Sequence, residues 1–168
     1  MYKVLLSTIA LDRVDLLDPV PLSEQEIDKA LDVAVALESP NIVLHLLDRK
    51  ATTAAAYRPH VNRISAAMMQ VLLSHNRVDA ASICVEDLLY NADEDVLRVV
   101  LHDGRADPTA NSNAALWSAV HHGLENAIDL LLADCRVVDV DAVVDYARVI
   151  GRGELAEKIV QCKKLFCF

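Results

Sequence analysis

The stretches VLLSHNRVDA at residues 71–80, VVLHDGRADP at 99–108 and LLLADCRVVD at 130–139 repeat one pattern: an apolar helix end, a polar turn centred on Arg77, Arg105 or Arg136, and an acidic or apolar exit. Leu73, Leu101 and Leu132 hold matching places in the three. A unit that recurs at nearly even intervals of this size marks a stacked array, in which no unit can bury its apolar stripe alone. Arrays of this kind present an extended face to partners, so the pattern points to recognition before it points to chemistry.

The clearest unit lies between Asp107 and Asp139. Its spacing predicts an extended entry, a first helix from about Asn113 to His122, a break at Gly123 and a second helix from about Glu125 to Ala133. Leu116, Ala119 and Val120 share one face of the first helix, and Ala127, Ile128, Leu131 and Leu132 one face of the second. The same template recurs one unit earlier as Val85, Leu88 and Leu89 followed by Val96, Leu97 and Val100, and three units earlier as Ala30, Leu31, Ala34 and Val35. Moved one unit later it falls on Val144, Ala147, Leu155, Ala156 and Ile159, with Gly151 beneath Gly123. Between Asp48 and Asp79 a second helix is predicted over Arg63 to Ser74, while the first is blurred by ATTAAAYRPH and interrupted at Pro59.

The chain is therefore expected to be all-α: one helical-hairpin solenoid domain spanning 1–168, of about five units, partly degenerate. Its boundaries fall at 1–22 for a partial N-terminal capping repeat, at 23–50, 51–79, 80–106, 107–138 and 139–161 for the repeats, and at 162–168 for a tail. Val4 to Ser7 matches Val71 to Ser74, which places Met1 inside the second helix of that partial repeat. Ser23 to Glu26 reads as a capping box, and Ser39-Pro40 as the N-cap and first helical residue of the next helix. Asn76, Gly104 and Cys135 share the slot after the second helix, so Cys135 is expected in a left-handed C-cap. Phe166 and Phe168 stand where a polar cap belongs and read as a contact site or a loose tail.

Composition narrows the function. Hydrophobic residues make up 54% of 168 and aromatics 4%, so the core must be built from Ala, Val, Leu and Ile, which suits close helix packing. A net charge of −9 argues against nucleic acid, whose phosphates require clustered Lys and Arg; a protein partner is expected, and a basic one matches the sign. No apolar run approaches the roughly 20 residues of a membrane span, and Asp12 and Arg13 interrupt the N-terminus too early for a secretory signal, so no membrane association and a cytoplasmic location are expected. Cys84, Cys135, Cys162 and Cys167 form no regular framework and fit reduced thiols in a reducing compartment.

From Ala115 to Asp134 the pattern A-L-x-x-A-x-x-x-G-x-x-x-A-I-x-L-L-L-x-D resembles an ankyrin repeat, and the turn after the second helix resembles the divergent ankyrin repeats of single-celled eukaryotes and their large viruses. The family's Thr-Pro-Leu-His opening is replaced here by Ala114-Ala115-Leu116-Trp117. The resemblance implies paired antiparallel helices and partners bound on a concave face of loops and first helices. On matching positions it assigns partner contact to Asp87, Tyr90 and Asn91, to Ser118, His121 and His122, and to Tyr146 and Ile150; Val33 and Leu37 occupy the same face of an earlier unit, and Thr109 to Ser112 a loop tip.

No catalytic residue, cofactor or metal site is expected. Adjacent helical residues point about 100° apart, so His121 and His122 do not converge on one ion, and Cys162 and Cys167 have no zinc spacing. Asp93, Glu94 and Asp95 open a second helix, where acids favour the helix dipole. There is neither a Gly-rich phosphate loop nor a nucleophile motif. Trp117 reads as inter-repeat packing or as the strongest available binding anchor. The expected function is a non-catalytic protein–protein interaction module, monomeric or weakly self-associating; the alternative is an assembly subunit that self-associates through exposed repeat ends or the C-terminal tail.

Overall fold

The computed structural model describes residues 7–49, 64–91, 94–137 and 139–166, with Asn91 and the last three of these described by their backbone. All regular structure among them is helical: α1 (Glu24–Ala36), α2 (Pro40–Arg49), α3 (Ala66–Ser74), α4 (Val85–Asn91), α5 (Glu94–Asp103), α6 (Ala110–His122), α7 (Glu125–Ala133), α8 (Asp141–Val149) and α9 (Gly153–Phe166), with single 3-10 turns at Val14–Leu16 and Ala80–Ser82. Residues 7 to 10 are also helical. The chain expected as one domain divides into two compact units, Met1–Ile83 and Cys84–Phe168.

In the second unit the helices pair as hairpins, α4 on α5, α6 on α7 and α8 on α9. The first helices touch in the order α4, α6, α8 and the second in the order α5, α7, α9, giving two layers. The one-sided apolar stripes explain the arrangement, since each layer buries what a lone hairpin would expose. Leu88, Leu116, Ala119 and Ala147 are buried from the first helices, and Val96, Val100, Ile128, Leu131 and Ile159 from the second. Polar pairs stitch the second layer from outside: Asn126 Nδ2 donates to Glu94 Oε1 at 2.6 Å, and Lys158 Nζ to Asp129 Oδ2 at 2.8 Å.

In the Arg136 turn the side chain acts as a clamp. Asp134 Oδ1 accepts the Arg136 amide at 3.0 Å and Nε at 2.9 Å, while Arg136 Nη1 donates to the Gly104 and Ala106 carbonyls, 2.8 and 2.6 Å away in the preceding turn. Asp103 grips Arg105 in the same way, Nε at 2.7 Å, and His75 Nδ1 accepts the Arg77 amide. The Arg136 guanidinium holds the Asp134 carboxyl below the usual carboxylate range. A depressed folded pKa contributes stability above the unfolded value of about 3.9 and loses it as pH falls through the folded one. Asp134→Asn is therefore expected to flatten the acid limb of a stability-against-pH curve; an acid limb parallel to the wild type would show that this carboxylate adds nothing.

A left-handed slot closes α1, α6 and α8, occupied by Glu38 (φ 52°), Gly123 (φ 72°) and Gly151 (φ 78°). At Gly123 a Cβ would also meet the guanidinium end of Arg152, a flexible side chain that can turn aside only by giving up its hydrogen bond to the His121 carbonyl, 3.0 Å through Nη2. Gly123→Ala is expected to cost about 1 to 3 kcal/mol, against about 1 kcal/mol for Gly104→Ala, where φ is 81° and the space is open. Equal losses in a denaturant titration would remove the steric part of the argument.

In the first unit α1 packs on α2 and α2 on α3. The capping box is present, with the Ser23 amide donating to Glu26 Oε2 at 2.9 Å. Pro40 does open α2, but the cap differs from expectation. Buried Ser39 donates its hydroxyl to the Ile9 carbonyl at 2.7 Å, and Asp12 accepts instead from the Ile42 amide at 2.9 Å and from Asn41 Nδ2 at 2.6 Å. Arg49 donates to the Leu17 and Val20 carbonyls at 3.2 and 2.6 Å, a clamp of the same kind as Arg136.

Other expectations are corrected. Cys135 is not left-handed: among the described non-glycine residues only Asp12, Glu38, Asn111, Ser112 and Asn113 have positive φ. The helix before it ends at Ala133 as expected, one residue short of the place equivalent to the α5 end at Asp103, with Asp134 extended (ψ 115°) and capping the turn, so no left-handed residue is needed. α3 starts at Ala66 rather than Arg63 because Ser65 Oγ accepts the Met68 amide at 3.2 Å. The stretch in which the first helix of the 51–79 unit is blurred and interrupted at Pro59 lies outside the described residues, as do Asp93, Cys167 and Phe168. The last helix runs past residue 161, where a tail was expected to start: α9 continues to Phe166, since no Gly or Pro stops it, and Lys163 Nζ reaches Asp141 Oδ1 at 2.9 Å.

Candidate functional site

The first-helix layer of the second unit carries a shallow groove of about 400 Å³, lined by Glu86 and Tyr90 from α4, by Asn111, Ser112, Ala114, Trp117, Ser118, His121 and His122 from α6, and by Tyr146 from α8. The spacing explains the convergence. Glu86 and Tyr90 are four apart, as are Ala114, Ser118 and His122, and Trp117 stands four before His121; such residues share a helix face.

Neighbouring side chains hold one another in place. The Tyr90 hydroxyl and Ser118 Oγ form a short hydrogen bond, and the Tyr90 ring meets His122 edge to face at 5.3 Å. His121 Nδ1 and the Tyr146 hydroxyl lie 2.7 Å apart; Tyr146 also packs on Trp117 at 4.8 Å with a tilt of 53°. The two histidine rings are 5.0 Å apart and nearly perpendicular, each turned to a different tyrosine. Among the described residues no three His, Cys, Asp or Glu side chains converge as metal ligands.

α6 enters this surface through an unusual bend. Asn111, Ser112 and Asn113 form a left-handed turn (φ 53°, 59° and 63°) before the right-handed helix begins. Asn tolerates this region through local hydrogen bonding, Ser less so. The turn lets Asn113 Nδ2 donate to the Asp139 carbonyl at 2.8 Å, tying the α6 entry to the segment before α8. Upstream, Asp107 Oδ1 accepts the Thr109 hydroxyl and amide at 2.7 and 2.8 Å, which lowers the Asp107 pKa.

Of the residues assigned to partner contact, Tyr90, Ser118, His121, His122 and Tyr146 come together in the groove. Tyr90 is 55% exposed; Ser118 is buried and serves as the anchor of the Tyr90 hydroxyl. Asp87 is exposed on α4 but does not line the groove, and Ile150 is half-buried just past α8, its amide bonded to the Tyr146 carbonyl. Asn91 ends α4, and its side chain lies outside the described set. Val33 and Leu37 belong to the first unit. Glu86 and Ala114 were not singled out from the sequence, although the four-residue spacings to Tyr90 and Ser118 carried the signal; Trp117, left open between packing and anchor, packs on Tyr146 and lines the groove.

Among the described residues no helix is long and apolar enough to cross a membrane. No family model, curated protein or solved structure matches this chain.

Proposed function

We propose that this chain is a helical-hairpin repeat protein of the ankyrin type, and that the face formed by α4, α6 and α8 binds a protein partner without catalysing a reaction on it. The observation that carries the reading is the gathering of Tyr90, Trp117, His121, His122 and Tyr146 on one groove across three successive first helices. Tyr and Trp bring apolar area and a polar handle at little rotamer cost, which is why such residues dominate binding energy. The recurring unit, the two helix layers and the shared left-handed slot at Glu38, Gly123 and Gly151 support the repeat assignment. The groove's polar side chains favour binding over catalysis: His121 is bonded to a phenol and Ser118 to another, so neither forms a Ser–His pair.

A net charge of −9 favours a basic partner and association that weakens with salt. The full chain, used as bait in cells that make it and followed by mass spectrometry, is expected to retain a protein with a basic segment. Binding of that protein, once purified, should weaken several-fold between low and physiological salt. A specific partner that is acidic, or whose affinity ignores salt, would contradict the reading.

A further inference from the structure

The chain has seven aromatic residues, and three of them, Tyr90, Trp117 and Tyr146, line the one groove of about 400 Å³. Glu86 lies on the same groove and makes no hydrogen bond or ion pair with the described residues. A carboxylate with no counter-ion among the described residues, lining one groove with three electron-rich rings, selects for positive charge, because a cation within about 6 Å of a ring centroid is attracted by the ring quadrupole.

The polar atoms decide which cation. The Tyr90 hydroxyl is engaged with Ser118 and the Tyr146 hydroxyl with His121, so the tyrosines offer ring surface rather than unengaged acceptors. A bare ammonium carries three N–H donors that must be satisfied on leaving water. The groove's other polar side chains are Asn111 and Ser112 in the left-handed turn and the two histidines beside the tyrosines; toward the rings and the carboxylate an alkylated ammonium, with the same charge, no donors and more apolar surface, fits better. The contacts that anchor both tyrosines also set the rings in place before a ligand arrives, which lowers the ordering cost of binding.

We propose that this groove takes the trimethylammonium group of a methylated lysine on a basic partner segment, with Tyr90, Trp117 and Tyr146 surrounding it and Glu86 supplying the counter-charge. The inference rests on the partner-binding reading of this face and adds the chemical group that is recognised.

Trp117 is the only tryptophan, so its fluorescence in the full chain reports directly on the groove. Titration near neutral pH would compare two salts, tetramethylammonium chloride and sodium chloride at matched ionic strength, and three forms of a short basic peptide whose single central lysine is unmodified, trimethylated, or replaced by the uncharged tert-butyl isostere. The expected result is a saturable response to tetramethylammonium that sodium does not reproduce, with the trimethylated peptide binding about three- to thirtyfold tighter than either the unmodified or the uncharged one. Glu86→Gln, a conservative change at a partly exposed position, should weaken the trimethylated peptide about three- to tenfold while leaving the melting midpoint unchanged. Absence of saturation, an unmodified or uncharged peptide binding as tightly, or saturation by tetramethylammonium alone with no peptide preference would overturn the assignment. If a captured protein partner depends on Tyr90 and Tyr146 yet is not displaced by tetramethylammonium, the ammonium assignment falls and the partner-binding face stands. If that partner is indifferent to both tyrosines, the face itself is wrong.

Discussion

Leu131→Ala is expected to destabilise the protein by about 2 to 5 kcal/mol, the range for removing a large buried aliphatic side chain and leaving part of its volume empty. Leu131 is fully buried on α7, which packs on both α5 and α9 as well as on its own partner α6. Its equivalents in the flanking units, Val100 and Ile159, are likewise fully buried. A cavity there touches helices on both sides, so neighbouring hairpins lose contacts together. The check is the denaturant midpoint with its slope. A loss under about 1 kcal/mol would mean that the second-helix layer does not hold the hairpins together.

Helix pairing was legible because apolar side chains recur with the helical period and because each hairpin needs a neighbour. The bounds of α7, Glu125 to Ala133, follow from the break at Gly123 and the last periodic residue Leu132. Features set by long-range partners were not legible. Asp12 caps α2 from far back in the chain, and nothing local at Ser39 announces that its hydroxyl is taken by Ile9. Cys135 misled for a related reason: alignment with Gly104 assumes that helices end at the same residue, but α5 runs to Asp103 while α7 stops at Ala133, one residue short of the equivalent Asp134, whose backbone is extended. The left-handed turn at Asn111 to Asn113 had no clear signal, since Asn and Ser are as common in ordinary turns.

At the candidate site, the helix face was legible and its internal order was not. Helical spacing places Tyr90, His121, His122 and Tyr146 on first helices, whereas the pairing of each histidine with a different tyrosine depends on how α4, α6 and α8 pack. Ser118 shares that face by spacing, and packing buries it beneath Tyr90. Trp117 could serve the core or the surface on sequence grounds, and its half-burial against Tyr146 lets it do both.

The second large expected effect is on binding. Tyr90 and Tyr146 flank α6 from either side, each carrying a ring held by a hydrogen bond and an aromatic neighbour. Hot-spot aromatics cost about 2 kcal/mol or more on truncation, which is roughly thirtyfold in Kd, and two in one groove need not add. Because Tyr90 is exposed and Tyr146 half-buried, truncating both should lower fold stability far less than Leu131→Ala. The most direct measurement is calorimetric titration of the captured partner against the wild type and the Tyr90→Ala, Tyr146→Ala double variant, each shown by circular dichroism to be folded at the working temperature. A rise in Kd of at least about thirtyfold in the folded variant is the predicted result; an unchanged Kd would contradict the assignment of this face as the binding surface.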